Sequence, residues 1–143
     1  MRYWQFAIGL LLLPIGCKAD LEAPPKVQWG EEPCAHCRML ISDPRFAAAL
    51  TLQNGEIRKY DDVGCLLKDY ATHKAQVHRV WVRCYDSDKW LDAQQAWFVR
   101  SKGLHSPMAS GIAAVQSKDA AERLANAVKG TVSRFDAVLN ERD

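Results

Sequence analysis

After residue 17 the sequence has no apolar stretch of about 18 residues, the length a helix needs to cross a bilayer, so the mature part is not expected to span a membrane. It also lacks a charge excess of either sign. Nineteen Lys and Arg stand against 17 Asp and Glu, a formal net charge of +2, with both signs mixed along the chain. A nucleic-acid binder would show a larger, clustered basic surplus, so that class is excluded. No Ser-His-Asp or paired-carboxylate arrangement has a positional rationale, which argues against an enzyme. Methionine is scarce, three in all with one the initiator. A second C-x-x-C pair is missing too, although most zinc sites built on one such pair need another.

What is present is ordinary globular material: 143 residues, 48% hydrophobic and 25% charged, enough for one domain or two very small ones. The N-terminus departs from this. "MRYWQFAIGLLLLPIGC" reads as one basic residue, Arg2, an apolar run and a small-residue site, the pattern of a secretory signal over residues 1–17. Ile15-Gly16-Cys17 resembles the end of a bacterial lipobox, making Cys17 the expected lipidation site. Pro14 is atypical there. Residues 18–30, "KADLEAPPKVQWG", carry two prolines without periodicity and read as a tether.

The remainder, 31–143, reads as an α+β domain with mostly antiparallel sheet and helices packed on it. "RFAAALTLQNGEIRKYDD" predicts a hairpin about Asn54-Gly55. Asp61 or Asp62 can cap a helix through Val63, Leu66, Leu67 and Tyr70. "AQVHRVWVRCYD" alternates as a strand does. "AWFVRS" and "GIAAVQS" read as further strands, "KDAAERLANAVKG" as a helix with Gly130 past its end, "TVSRF" as a last strand and "DAVLNERD" as a helical tail. Each half, 31–85 and 86–143, thus reads strand, strand, helix, strand, a pattern of two similar small ββαβ units.

The chemistry concentrates in "EEPCAHCRMLISDPRF". A lone C-x-x-C is compatible with half a zinc site, a redox dithiol or a local disulfide. The dithiol of a thiol-disulfide oxidoreductase should open a helix, whose dipole lowers the thiol pKa. Here Pro33 precedes Cys34 and Pro44 follows soon after, with no convincing helix between. Met39 favours a different reading. Thioether and thiolate are soft donors that select Cu(I), and Met39 can share a face with Cys37 if the segment is extended. His36 is a weaker candidate ligand. The other methionine, Met108, follows Pro107 in the small-residue loop "GLHSPMASG", where packing gives it little reason to be. Excluding Cys17, Cys34, Cys37, Cys65 and Cys84 allow three disulfide pairings in an oxidising compartment, and a structural lipoprotein with all four paired stays open.

Taken together, "CAHCRMLISD", "YDDVGCLL", "DKWLDAQQAWFV" and "SPMASGIAAVQSKDAAERLA" resemble the NosL family, the copper-binding accessory lipoproteins of nitrous oxide reductase assembly, over nearly all of the chain from about residue 30. The resemblance implies two ββαβ units, a lipid anchor and a periplasmic Cu(I) carrier. It implies delivery for the copper cluster of nitrous oxide reductase, with an ABC-type membrane complex as partner. The family's C-x-x-C-x-M motif falls on Cys34, Cys37 and Met39, and its Pro-Met motif on Pro107 and Met108, the first expected copper ligand. Glycine is common where this chain has Arg38, and Cys65 and Cys84 are less typical; they could form a disulfide or add a ligand. A periplasmic thiol-disulfide oxidoreductase acting through Cys34 and Cys37 is the alternative.

Overall fold

The computed structural model describes residues 20–141. The expected signal segment and the lipidation site Cys17 lie outside the described residues. Five buried residues, Ala48–Leu52 (β1), turn at Asn54 and Gly55 into Ile57–Tyr60 (β2). The turn needs Gly55, whose φ of +90° few other residues adopt. Val63–His73 (α1) follows, then Val77–Arg83 (β3) and a three-residue strand, Trp90–Asp92 (β4). These strands form one antiparallel sheet in the order β2-β1-β3-β4.

Trp97–Arg100 (β5), Ile112–Val115 (β6), Lys118–Val128 (α2) and Thr131–Ser133 (β7) repeat the plan, closed by Phe135–Asn140 (α3). The second sheet is antiparallel in the order β6-β5-β7. In each sheet the first strand of the unit is central, the second lies on one side and the strand after the helix on the other. The two sheets meet at a parallel bridge between Cys84 and Ala114, where the Tyr85 amide donates to the Ala114 carbonyl at 2.7 Å. The main core joins both units, packing Leu50, Tyr60, Leu66 and Val82 with Phe98, Ile112 and Phe135. A smaller core sets α2, through Ala121 and Ala125, on Val99, Ala113 and Val115.

The expected α+β class and its ββαβ pattern are what the fold contains. Three details differ from the expected ones. β4 carries no alternating pattern and went unpredicted; it exists because β3 has a free edge for it. The left-handed cap of α2 is Lys129, φ +54°, rather than Gly130. Gly130 is required for a different reason: a Cβ there would stand 2.8 Å from the Arg100 carbonyl oxygen. Within residues 20–29 the chain lies against the domain, with Val27 on the core and Glu22 paired with His78 and Arg79 of β3. Among the described residues no helix is long and apolar enough to cross a membrane.

Candidate metal centre

The segment from Cys34 to Met39 is a reversal. The Arg38 amide donates to the Cys34 carbonyl at 3.1 Å and the Cys34 amide to the Met39 carbonyl at 2.7 Å. The segment is therefore not extended, the condition under which Met39 would share a face with Cys37. Arg38 sits at φ +69°, the left-handed region that favours glycine. The Ala35 amide donates to the Lys59 carbonyl at 2.8 Å, which fixes the loop to β2. Cys34 is thereby buried completely, while Cys37 is only partly buried.

The chain then brings Tyr60-Asp61-Asp62 to the same place. The two aspartates divide the work expected of either. Asp62 caps α1, accepting from the Gly64 amide at 2.7 Å. Its other oxygen accepts from the Met108 amide at 2.9 Å, so it also fixes the Pro107-Met108 loop. Asp61 faces the thiols, accepting from Cys37 Sγ at 3.4 Å. Cys65, in the first turn of α1, supplies a third sulfur. The ligand atoms of Cys34, Cys37, Asp61 and Cys65 all lie within 4.8 Å of one another.

Their protonation is mutually determined. A hydrogen bond from the Cys65 thiol is the largest influence on Cys34; with backbone donors at Cys37, Asp61 and His36 it outweighs burial and lowers the Cys34 pKa to about 4. Cys65 is pushed far up by that same bond, by burial and by the neighbouring negative charge. Burial raises Cys37, with Cys34 and Asp61 adding to it. Asp61 rises to about 6, first through burial and then through Cys34. Cys34 is thus the most acidic thiol of the cluster, and filling the cluster with metal would displace the protons of the other thiols.

The candidate ligands are placed unequally. Cys34 and Cys37 are in the cluster. Met39 is 60% exposed, and the atom that bonds Cys34 is its carbonyl oxygen. His36 is exposed. Met108, 45% exposed, lines an open pocket of about 300 Å³ together with Cys65, Gly64 and Ser110. The sequence offers Cys65 only as a disulfide partner or added ligand. Its nearness to Asp61 within "YDDVGC" was the available signal, but only the fold shows that it meets the C-x-x-C pair. Cys84 stands apart, its thiol bonded to Asp86 at 3.0 Å, and all four thiols are free.

The donor chemistry fits a soft ion. Three cysteine sulfurs converge in a buried site, and thiolates bind Cu(I) or zinc in preference to hard cations. The sequence profile of the family described as NosL matches residues 27–142. The crystal structure of the copper chaperone NosL from Shewanella denitrificans is similar, with a TM-score of 0.65 and 23% identity, covering 79% of this chain and 96% of that one. That likeness is one of fold. Among curated proteins none matches the chain significantly.

Proposed function

The chain belongs to the NosL family, and from that premise we propose that it is a Cu(I) carrier acting without a catalytic step of its own. The observation that carries this reading is the convergence of Cys34, Cys37 and Cys65. A chaperone must bind tightly and still release. Three sulfurs in a site that is buried on one side leave room for an acceptor's ligand to attack before the old ligands depart. Met108 shares a pocket wall with Cys65 and is the outermost donor of this proposal. The lipobox-like N-terminus supports a periplasmic, membrane-anchored carrier. The family supports nitrous oxide reductase, reached through an ABC-type membrane complex, as the client.

The thiol-disulfide oxidoreductase reading is not favoured. Such an enzyme needs its low-pKa thiolate accessible to a substrate disulfide. Here the depressed thiol is Cys34, which is fully buried, while the more accessible Cys37 is raised.

The test is an anaerobic Cu(I) titration of the reduced chain in competition with bathocuproine disulfonate. Stoichiometric binding with sulfur-to-copper charge-transfer absorption is expected. Replacement of Cys34, Cys37 or Cys65 by Ser, or of Met108 by Ala, should weaken binding by at least about tenfold, whereas Cys84→Ser should not. Undiminished affinity in the Cys65 variant would remove the three-sulfur site; no binding at all would remove the carrier.

A further inference from the structure

The loop between β5 and β6, residues 101–111, walls a cavity of about 360 Å³ that the thiol cluster does not line. Arg100, Lys102 and His105 line it with Ser106, Ser110 and Gly111, and no cysteine, aspartate or glutamate does. Such a lining offers a metal ion almost no ligand. The chain as a whole has a net charge of only +2, so this gathering of basic nitrogen is local.

These groups are also unused. Among the described residues Lys102 and His105 have no hydrogen-bond or ion-pair partner. Both are exposed, and water accounts for them. It does not account for Arg100, whose Nε is buried without an acceptor. The acid that Arg100 faces, Glu141, stands at 3.6 Å, beyond hydrogen-bond reach. Glu141 lines the adjoining Met108 pocket and not this cavity. A guanidinium presents a planar fork of donors that matches the oxygens of a phosphate, and here that fork has no acceptor among the described residues.

The cup is shaped before anything enters it. The Ser101 amide donates to the Gly111 carbonyl at 2.9 Å and closes the neck of the loop, while the Gly111 amide donates to Ser106 Oγ at 3.0 Å. Gly111 has a φ of +63°, and a Cβ there would stand 2.3 Å from the Ser101 carbonyl oxygen. A site fixed in this way loses little freedom on binding.

We infer that this loop is a binding site for a phosphate group, held by Arg100 and Lys102 with His105 as a further donor. A free phosphate ion and the headgroup of a phospholipid present the same chemistry to it. The site does not depend on metal binding, although the same loop carries Met108.

The experiment titrates inorganic phosphate into the reduced full chain at low ionic strength, followed by calorimetry and by amide NMR shifts. Saturable binding is expected, with the shifts concentrated in residues 101–111. Arg100→Gln should weaken it at least about tenfold and Lys102→Gln at least about threefold. Lys102 is exposed, so its variant keeps the test valid if Arg100→Gln does not fold. Glu141→Gln removes the acid that faces Arg100 without touching the cavity, and should tighten binding. Glycerophosphoglycerol, the soluble headgroup of phosphatidylglycerol, is titrated in parallel. Tighter binding than that of phosphate assigns the site to lipid, and weaker binding assigns it to the free ion. A response that does not saturate, that chloride reproduces at equal ionic strength, or that persists undiminished in a folded Arg100→Gln or in Lys102→Gln overturns the inference.

Discussion

Arg38 carries a conformational cost that only the backbone discloses. At φ +69° an arginine is held where glycine would rest without strain, and its charge stands two residues before the exposed Leu40 and one after Cys37. Arg38→Gly should raise stability by about 0.5–1 kcal/mol, after subtracting the extra freedom glycine has when unfolded, seen as a higher urea midpoint. A lower midpoint would mean that the arginine side chain contributes more than its backbone costs. Single residues also mark the limit of sequence reading at the site. Cys34 and Cys37 were legible because four adjacent positions hold them. Cys65 was not, because its distance to them is set by β1, β2 and the cap of α1 rather than by spacing. Met39 shows the opposite: its spacing suits a face shared with Cys37 only in an extended segment, and the backbone turns instead.

Elements with a strong local signal formed as their residues predict. Asn54-Gly55 makes the hairpin, Asp62 caps α1, and the alternation of Val80 and Val82 marks a central strand. The link between β2 and α1 had no such signal. Asp69 of α1 accepts from the Tyr60 hydroxyl and from Arg58 Nε, the latter at 2.7 Å. Burial alone would raise the Asp69 pKa, but Tyr60 and Arg58 outweigh it and hold it below the usual carboxylate range. A carboxylate with a depressed folded pKa adds stability that is complete above its unfolded value of about 3.9 and is lost as pH falls through the folded one. Asp69→Asn should therefore cost about 2–3 kcal/mol near neutral pH, and that difference should shrink in urea titrations below about pH 4. A penalty independent of pH would assign Asp69 a packing role only.

At the scale of the whole molecule, the candidate site is assembled at the seam between the units. Cys34, Cys37, Asp61 and Cys65 belong to the first, while the loop bearing Met108 belongs to the second and is fastened by Asp62. The close approach depends on Gly64, where a Cβ would stand 2.7 Å from Ser110 Cβ. Alanine normally improves a helix, yet Gly64→Ala should destabilise by about 1–3 kcal/mol, and Ser110→Gly in the same chain should recover most of the loss. Failure of that rescue in urea unfolding would place the clash elsewhere. The outer end of the molecule has a corresponding fastening. Glu22 is gripped by His78 and Arg79, so a lipid on Cys17 would leave a leash of only residues 18–21, a reach of roughly 17 Å. Unclasped, the free length would run on toward Val27 and the domain could patrol a wider shell of space. If Cys17 is lipidated, a carrier on so short a leash would have to wait for its acceptor to come to it, or share the same patch of membrane with it.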